Sequence, residues 1–175
     1  MRTIDPAASA LLVVDVQARL MPAIPGADAI VANLRRLLAV AAMLDVPAMV
    51  TEQNPGGLGP TVPGLAAGVP VLHKMAFDAC RDGGLVRLPD RPTLVVGGCE
   101  THVCVLQTVL GLLEAGRRVY VVQDAVGSRR VETREAALRR MAAHGAEVVT
   151  AEMVAFEWLG TAEHPRFRDA LALLK

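Results

Sequence analysis

Residues 93–122 read TLVVGGCETHVCVLQTVLGLLEAGRRVYVV. An apolar run without polar alternation (93–97) is followed by a stretch with helical spacing (101–114) that stops at Gly116. A second apolar run follows at 118–122. Strands that lack alternation are buried on both faces, and a glycine just past the last periodic residue is a common helix stop. Strand, helix and strand in this order make a unit whose two strands lie parallel, joined by a right-handed crossover.

The same alternation extends in both directions. Residues 10–15, ALLVVD, form a buried strand. Residues 27–44 place Ile30, Leu34, Leu37, Leu38 and Ala41 at helical spacing with Arg35 and Arg36 opposite. Short strands are predicted at 47–51, 69–73 and 147–150, with turn-rich sequence at 54–60. Helices are predicted at 132–144, ended by Gly145, and at 165–174. Six strands separated by helices imply an α/β fold with helices on both faces of a mainly parallel sheet. No linker, repeat or change of composition divides the chain, so residues 1–175 read as a single domain.

Composition narrows the function. Hydrophobic residues are 53% and charged residues 21% of the 175, which excludes disorder. Eighteen basic and eighteen acidic residues cancel, so the basic footprint of a nucleic-acid or anionic-membrane binder is missing. Five aromatic residues offer few stacking platforms. The longest plain apolar run, residues 37–44, is far short of the roughly 20 residues that span a bilayer. Three cysteines form no even disulfide framework, which suits a reducing, cytoplasmic setting.

In parallel sheets chemistry gathers at the carboxyl ends of the strands. The first strand ends in Asp15, the third in His73-Lys74, the fourth in Gly97-Gly98-Cys99-Glu100, and the fifth in Gln123-Asp124. Lys74 stands out because the chain has sixteen arginines and only one other lysine, Lys175. Arginine is a permanently charged fork, whereas lysine is a compact ammonium whose pKa can be tuned. Cys104 falls in the first turn of a helix, where free N–H groups and the helix dipole lower a thiol pKa. An acid, an amine and a thiol thus converge from three segments. Asp124 reads as a loop-ordering carboxylate, and the arginine pairs at 129–130 and 139–140 as a solvated face or a subunit contact.

Val13-Val-Asp-Val-Gln17, His73-Lys-Met-Ala-Phe77 and Gly97-Gly-Cys-Glu-Thr-His-Val-Cys-Val105 together resemble the isochorismatase-like cysteine hydrolases, from about residue 8 to residue 160. The stretch Thr51-Glu-Gln-Asn-Pro-Gly-Gly-Leu-Gly59 is most similar to the isochorismatase domain-containing proteins of unassigned reaction. The resemblance implies a three-layer α/β/α sandwich. It also implies a catalytic set in which Cys104 is the nucleophile, Asp15 the general base and acid, and Lys74 the electrostatic partner. A cis peptide is implied between Cys99 and Glu100, with the N–H groups of Glu100 and Cys104 as the oxyanion hole. The expected pocket is lined by Leu20, Met21, Gln53 and Phe77, and the expected substrate is a small amide or related C–N or acyl compound.

Departures from the family sharpen this expectation. Glu52-Gln-Asn-Pro55 stands where nicotinamidases carry an Asp-x-His metal cluster, so no metal is expected. The mechanism asks for no cofactor. A zinc site from Cys99, His102 and Cys104 is disfavoured, because His102 and Cys104 point to different faces of a helix. The apolar cluster Met153, Phe156, Trp158 and Leu159 fits a homo-oligomer, which the resemblance also implies. Two alternatives stay open: a non-catalytic scaffold, and a thiol redox protein using Cys104 with Cys99 or Cys80.

Overall fold

The computed structural model describes residues 3–174. Its strands are β1 (Ser9–Val14), β2 (Ala48–Gln53), β3 (Val71–Lys74), β4 (Thr93–Cys99), β5 (Arg118–Gly127) and β6 (Glu147–Val149). The helices are α1 (Ala27–Met43), the single turn α2 (Pro55–Leu58), α3 (Leu106–Glu114), α4 (Val131–Ala143), α5 (Ala151–Leu159) and α6 (Phe167–Leu174). All strands pair in parallel, in the order β3-β2-β1-β4-β5-β6.

Period-two alternation sorts the strand residues into two cores. Leu11 and Val13 pack with α1, α5 and α6, through residues such as Leu34, Leu37, Val154 and Trp158. Ala10, Leu12 and Val14 face the other way, toward Val109 and Leu112 of α3 and Leu138 and Met141 of α4. The result is the three-layer α/β/α sandwich. Every residue of β1 and of β4 is buried, and each fully buried Leu or Val contributes about 1.5–3 kcal/mol. Among the described residues no helix is long and apolar enough to cross a membrane.

The chain runs outward from β1 to β3, then returns to the centre for β4 and runs outward the other way. The order therefore reverses between β1 and β4. In open α/β sheets the crevice beyond the carboxyl ends at such a switch point is where ligands bind.

Three elements differ from the expectations. Helix α5 was not anticipated, although Thr150 caps it, accepting from Met153 N–H at 3.2 Å, and Gly160 ends it in a left-handed conformation. It is apolar nearly all round, so no helical stripe marks it. Strand β5 continues to Gly127 past a register shift opposite Val96 and Gly98. The segment after β4 opens as a π-helical turn, Thr101–Val105, before α3 begins.

Candidate active site

Asp15 follows β1 with a left-handed φ of 51°, a conformation that Asp tolerates better than most residues. That turn leaves the side chain fully buried at the switch point. Its Oδ1 accepts from the Thr51 hydroxyl at 2.6 Å and its Oδ2 from Lys74 Nζ at 2.6 Å. The Lys74 side chain is 7% exposed, and its ammonium also donates to the carbonyls of Ala76 (3.2 Å) and Phe77 (3.1 Å). Three acceptors around a buried ammonium satisfy its three donors.

Cys104 comes from the π-helical turn to the side of the same carboxylate, where the Asp15 charge acts on its thiol. Burial pushes the thiol pKa above its ordinary value. The Asp15 charge and hydrogen bond and the Glu100 charge push the same way, while Lys74 pulls it down. A helix start leads one to expect a lowered thiol; burial and the neighbouring carboxylate raise it instead. Cys104 rests as a thiol against a base.

One close approach brings β1 and β4 together at this point. Gly98 has φ 123°, and a Cβ there would lie 2.0 Å from the Val14 carbonyl oxygen. Only glycine lets the β4 end pass beside the residue that precedes Asp15. The peptide between Cys99 and Glu100 is cis. The Glu100 carbonyl accepts from the N–H groups of Val103 (3.1 Å) and Val105 (3.2 Å), passing over that of Cys104 between them. The buried Glu100 carboxylate takes Arg129 Nε on both oxygens, at 2.8 and 2.9 Å.

Of the pocket expected from sequence, Gln53 and Phe77 lie beside Lys74. Gln53 Nε2 donates to the Met75 carbonyl at 3.0 Å, and Phe77 is 49% exposed next to the carbonyl that holds the ammonium. Met21 is buried in the α1-side core, and half-buried Leu20 packs on the same core. A cavity of about 360 Å³ borders Lys74, with Pro55, Leu72, His73 and Met75 among its walls. A larger one, about 890 Å³, runs along α5 and contains none of Asp15, Lys74 or Cys104.

Other residues enter that the motifs did not single out. Gln17 is fully buried and staples the loop after β2 to β1. It donates to the carbonyls of Gln53 (3.1 Å) and Gly59 (2.7 Å) and accepts from Gln53 N–H (2.9 Å). Thr51 was legible in principle, since parallel register sets it opposite Val14 at the strand ends. Arg129, read with Arg130 as a solvated face or a subunit contact, is 63% exposed and also reaches Glu100. Asp124, read as a loop-ordering carboxylate, lies within β5 and accepts from the N–H of Ala151, the first residue of α5, at 2.8 Å. Cys99 packs in the α1-side core and Cys104 in the α3-side core, so the sheet separates the two thiols. Among the described residues no group of three His, Cys, Asp or Glu side chains is placed to hold a metal ion.

The chain is similar to known proteins. Isochorismatase domain-containing protein 2 of Rattus norvegicus is 38% identical over 175 residues, covering 98% of this chain and 83% of that protein. The structure of MAR1 ribonuclease from Caenorhabditis elegans superposes with a TM-score of 0.93 at 38% identity, covering 98% of this chain and 92% of that one. The YcaC gene product of Escherichia coli, an octameric hydrolase of unknown specificity, superposes with a TM-score of 0.86 at 29% identity, covering 99% and 88%. The isochorismatase domain model matches residues 9–153, from the first residue of β1 into α5 and across all three segments that meet at Asp15. With its parallel sheet and its switch-point site, the chain belongs to the isochorismatase-like hydrolase family.

Proposed function

We propose that this protein is a cysteine hydrolase that cleaves a small amide, or a related C–N or acyl compound, through a thioester on Cys104. The observation that carries the reading is the buried Asp15 carboxylate, held by the Lys74 ammonium at 2.6 Å, with its charge acting on the Cys104 thiol. A thiol kept protonated by burial needs a base, and Asp15 is in contact with it.

The steps follow from these groups. Asp15 takes the thiol proton, and Lys74 stabilises the resulting charge. The thiolate attacks the substrate carbonyl carbon. The N–H groups of Glu100 and Cys104 hold the oxyanion, each worth about 3–4 kcal/mol. The C–N bond breaks as Asp15 returns the proton to the leaving amine. A water deprotonated by Asp15 then hydrolyses the thioester, releasing the acid and restoring the thiol. The cycle needs neither metal nor cofactor, and Gln53 and Phe77 border the acyl group. In this reading the chain works in the cytoplasm, as one domain, within a homo-oligomer such as the E. coli octamer.

The C. elegans relative carries the name ribonuclease, which makes RNA the substrate to weigh against amides. Balanced charge and five aromatic residues give this chain no electrostatic or stacking footprint for RNA. The test offers a panel of small amides and esters, and single-stranded RNA, to wild type and Cys104→Ser, followed by product assay and intact mass. The expected result is turnover of an acyl compound, an acyl adduct on Cys104, and loss of both in the variant. RNA cleavage that survives Cys104→Ser, or neither turnover nor adduct with the whole panel, overturns the reading.

A further inference from the structure

Lys74 is held in place by a loop as well as by Asp15. Two of its three acceptors are the carbonyls of Ala76 and Phe77, in the segment that follows β3. That segment is exposed at Met75 and Phe77, so it needs an anchor. The anchor is α3, the helix that follows the π-helical turn carrying Cys104.

Two contacts make the anchorage. Ala79 N–H donates to the fully buried hydroxyl of Thr108 at 3.0 Å. Asp78, itself buried and tied to Cys80 N–H at 2.8 Å, lies directly on Gly111. A Cβ at Gly111 would sit 2.7 and 2.8 Å from the two Asp78 carboxylate oxygens, so any larger residue would lift the loop. Thr108 and Gly111 are three residues apart on α3 and therefore share a face. A further contact, from the Cys80 thiol to the Thr108 carbonyl at 3.9 Å, lies on the same seam. The π-helical turn that carries the thiol thus runs straight into the helix whose side seats the ammonium's loop.

We propose that Thr108 and Gly111 are positioning residues that act through Lys74. By seating Ala79 and Asp78 they hold the Ala76 and Phe77 carbonyls where these keep the ammonium against the Asp15–Cys104 pair. The proposal rests on the hydrolase reading above. Loosening the seat lets the ammonium drift from the pair, and the thiolate then loses the one charge that favours it.

The experiment needs no substrate. Iodoacetamide alkylation of Cys104 is followed against pH, by peptide mass, in folded protein verified by circular dichroism. Thr108→Val, which keeps shape and removes the hydroxyl, shifts the profile to higher pH. At fixed pH this reads as a loss of about threefold to tenfold in rate, the scale of one hydrogen bond. Thr108→Ser restores the rate. Gly111→Ala, a second variant that leaves Thr108 intact, shifts the profile the same way.

The decisive comparison repeats Thr108→Val in an Asp15→Asn/Lys74→Met background, where the buried pair is removed together and no lone charge remains. A residue acting through Lys74 has no effect there, whereas one that merely supports the helix keeps its effect. Equal slowing in both backgrounds, or no slowing in the native one, overturns the proposal while leaving the hydrolase reading intact. An Asp15→Asn single variant with an unchanged Cys104 profile overturns the hydrolase reading itself, and the proposal with it.

Discussion

Lys74 and Asp15 meet at 2.6 Å although their strands are not neighbours, because β2 lies between β3 and β1. Adjacent strands are ~4.8 Å apart, so the ammonium crosses about two strand spacings to reach the carboxylate. Lysine has a flexible four-carbon stem ending in a point charge. It passes over the end of β2, where Thr51 occupies the carboxylate's other oxygen. The single lysine among the described residues of an arginine-rich chain sits where length and a compact charge are both required.

Asp15→Asn removes the base while keeping its shape. The charge and hydrogen bond of Asp15 both raise the Cys104 pKa, so the variant's alkylation profile moves to lower pH. Turnover moves oppositely, falling by about 10²–10⁴-fold, the usual scale of general acid–base catalysis. A variant whose thiol becomes easier to alkylate while catalysis collapses separates the base from a structural role. Parallel loss of both would remove Asp15 from the proton path.

Thr51→Val deletes the hydroxyl that donates to Asp15 Oδ1 at 2.6 Å. Both partners are fully buried, so water does not replace the bond. The expected loss is about 1.5–3 kcal/mol, the range for hydrogen bonds to charged groups, read from urea midpoints. Thr51→Ser should recover most of it. A loss under about 0.5 kcal/mol would mean that the carboxylate is satisfied without Thr51.

Gly98→Ala tests the close passage of β4 behind Asp15. The added Cβ meets the Val14 carbonyl oxygen at 2.0 Å, at a φ of 123° that side chains rarely adopt. Central strands cannot part to relieve it, so the expected cost exceeds about 3 kcal/mol. Chemical denaturation measures it. A variant of native stability would require the β1 and β4 ends to slide past each other without cost.

The features legible in the sequence share one geometric cause. Asp15, Lys74 and Cys104 follow strand ends or begin a helix, and parallel sheets gather those points on one rim whatever the strand order. Glu100 and Arg129 could not be paired beforehand, because the contact joins two loops through an exposed arginine that looks like any surface charge. Met21 shows a different limit. An apolar residue near a site reads equally as pocket wall or core, and Met21 lies buried in the α1-side core. Helix α5 escaped because its exposed side carries Met153 and Phe156 beside Glu152, so no polar face sets its period. The direction of the Cys104 shift required knowing what surrounds the thiol, since burial and the Asp15 charge raise it.

Cys99 provides a test of the buried centre by pH alone. Burial pushes its thiol up to about 12 against the lowering effect of a backbone hydrogen bond from Gly127. An unfolded cysteine ionises near ~8.5. Below that value both states hold the proton, and the thiol adds no pH dependence. Above it the unfolded chain releases a proton that the folded protein keeps, so stability falls as pH rises toward about 12. One such group contributes a slope of about 1.4 kcal/mol per pH unit. The raised thiols of Cys80 and Cys104 act with the same sign. Cys99→Ser keeps an acceptor for the Gly127 N–H but does not ionise in this range. Unfolding free energy from urea titrations between pH 8 and pH 11 should therefore fall less steeply in the variant, by about 1.4 kcal/mol per pH unit. A constant offset between two parallel lines would instead show that Cys99 reaches water in the folded protein, and that the β4–β5 seam beside the site is open.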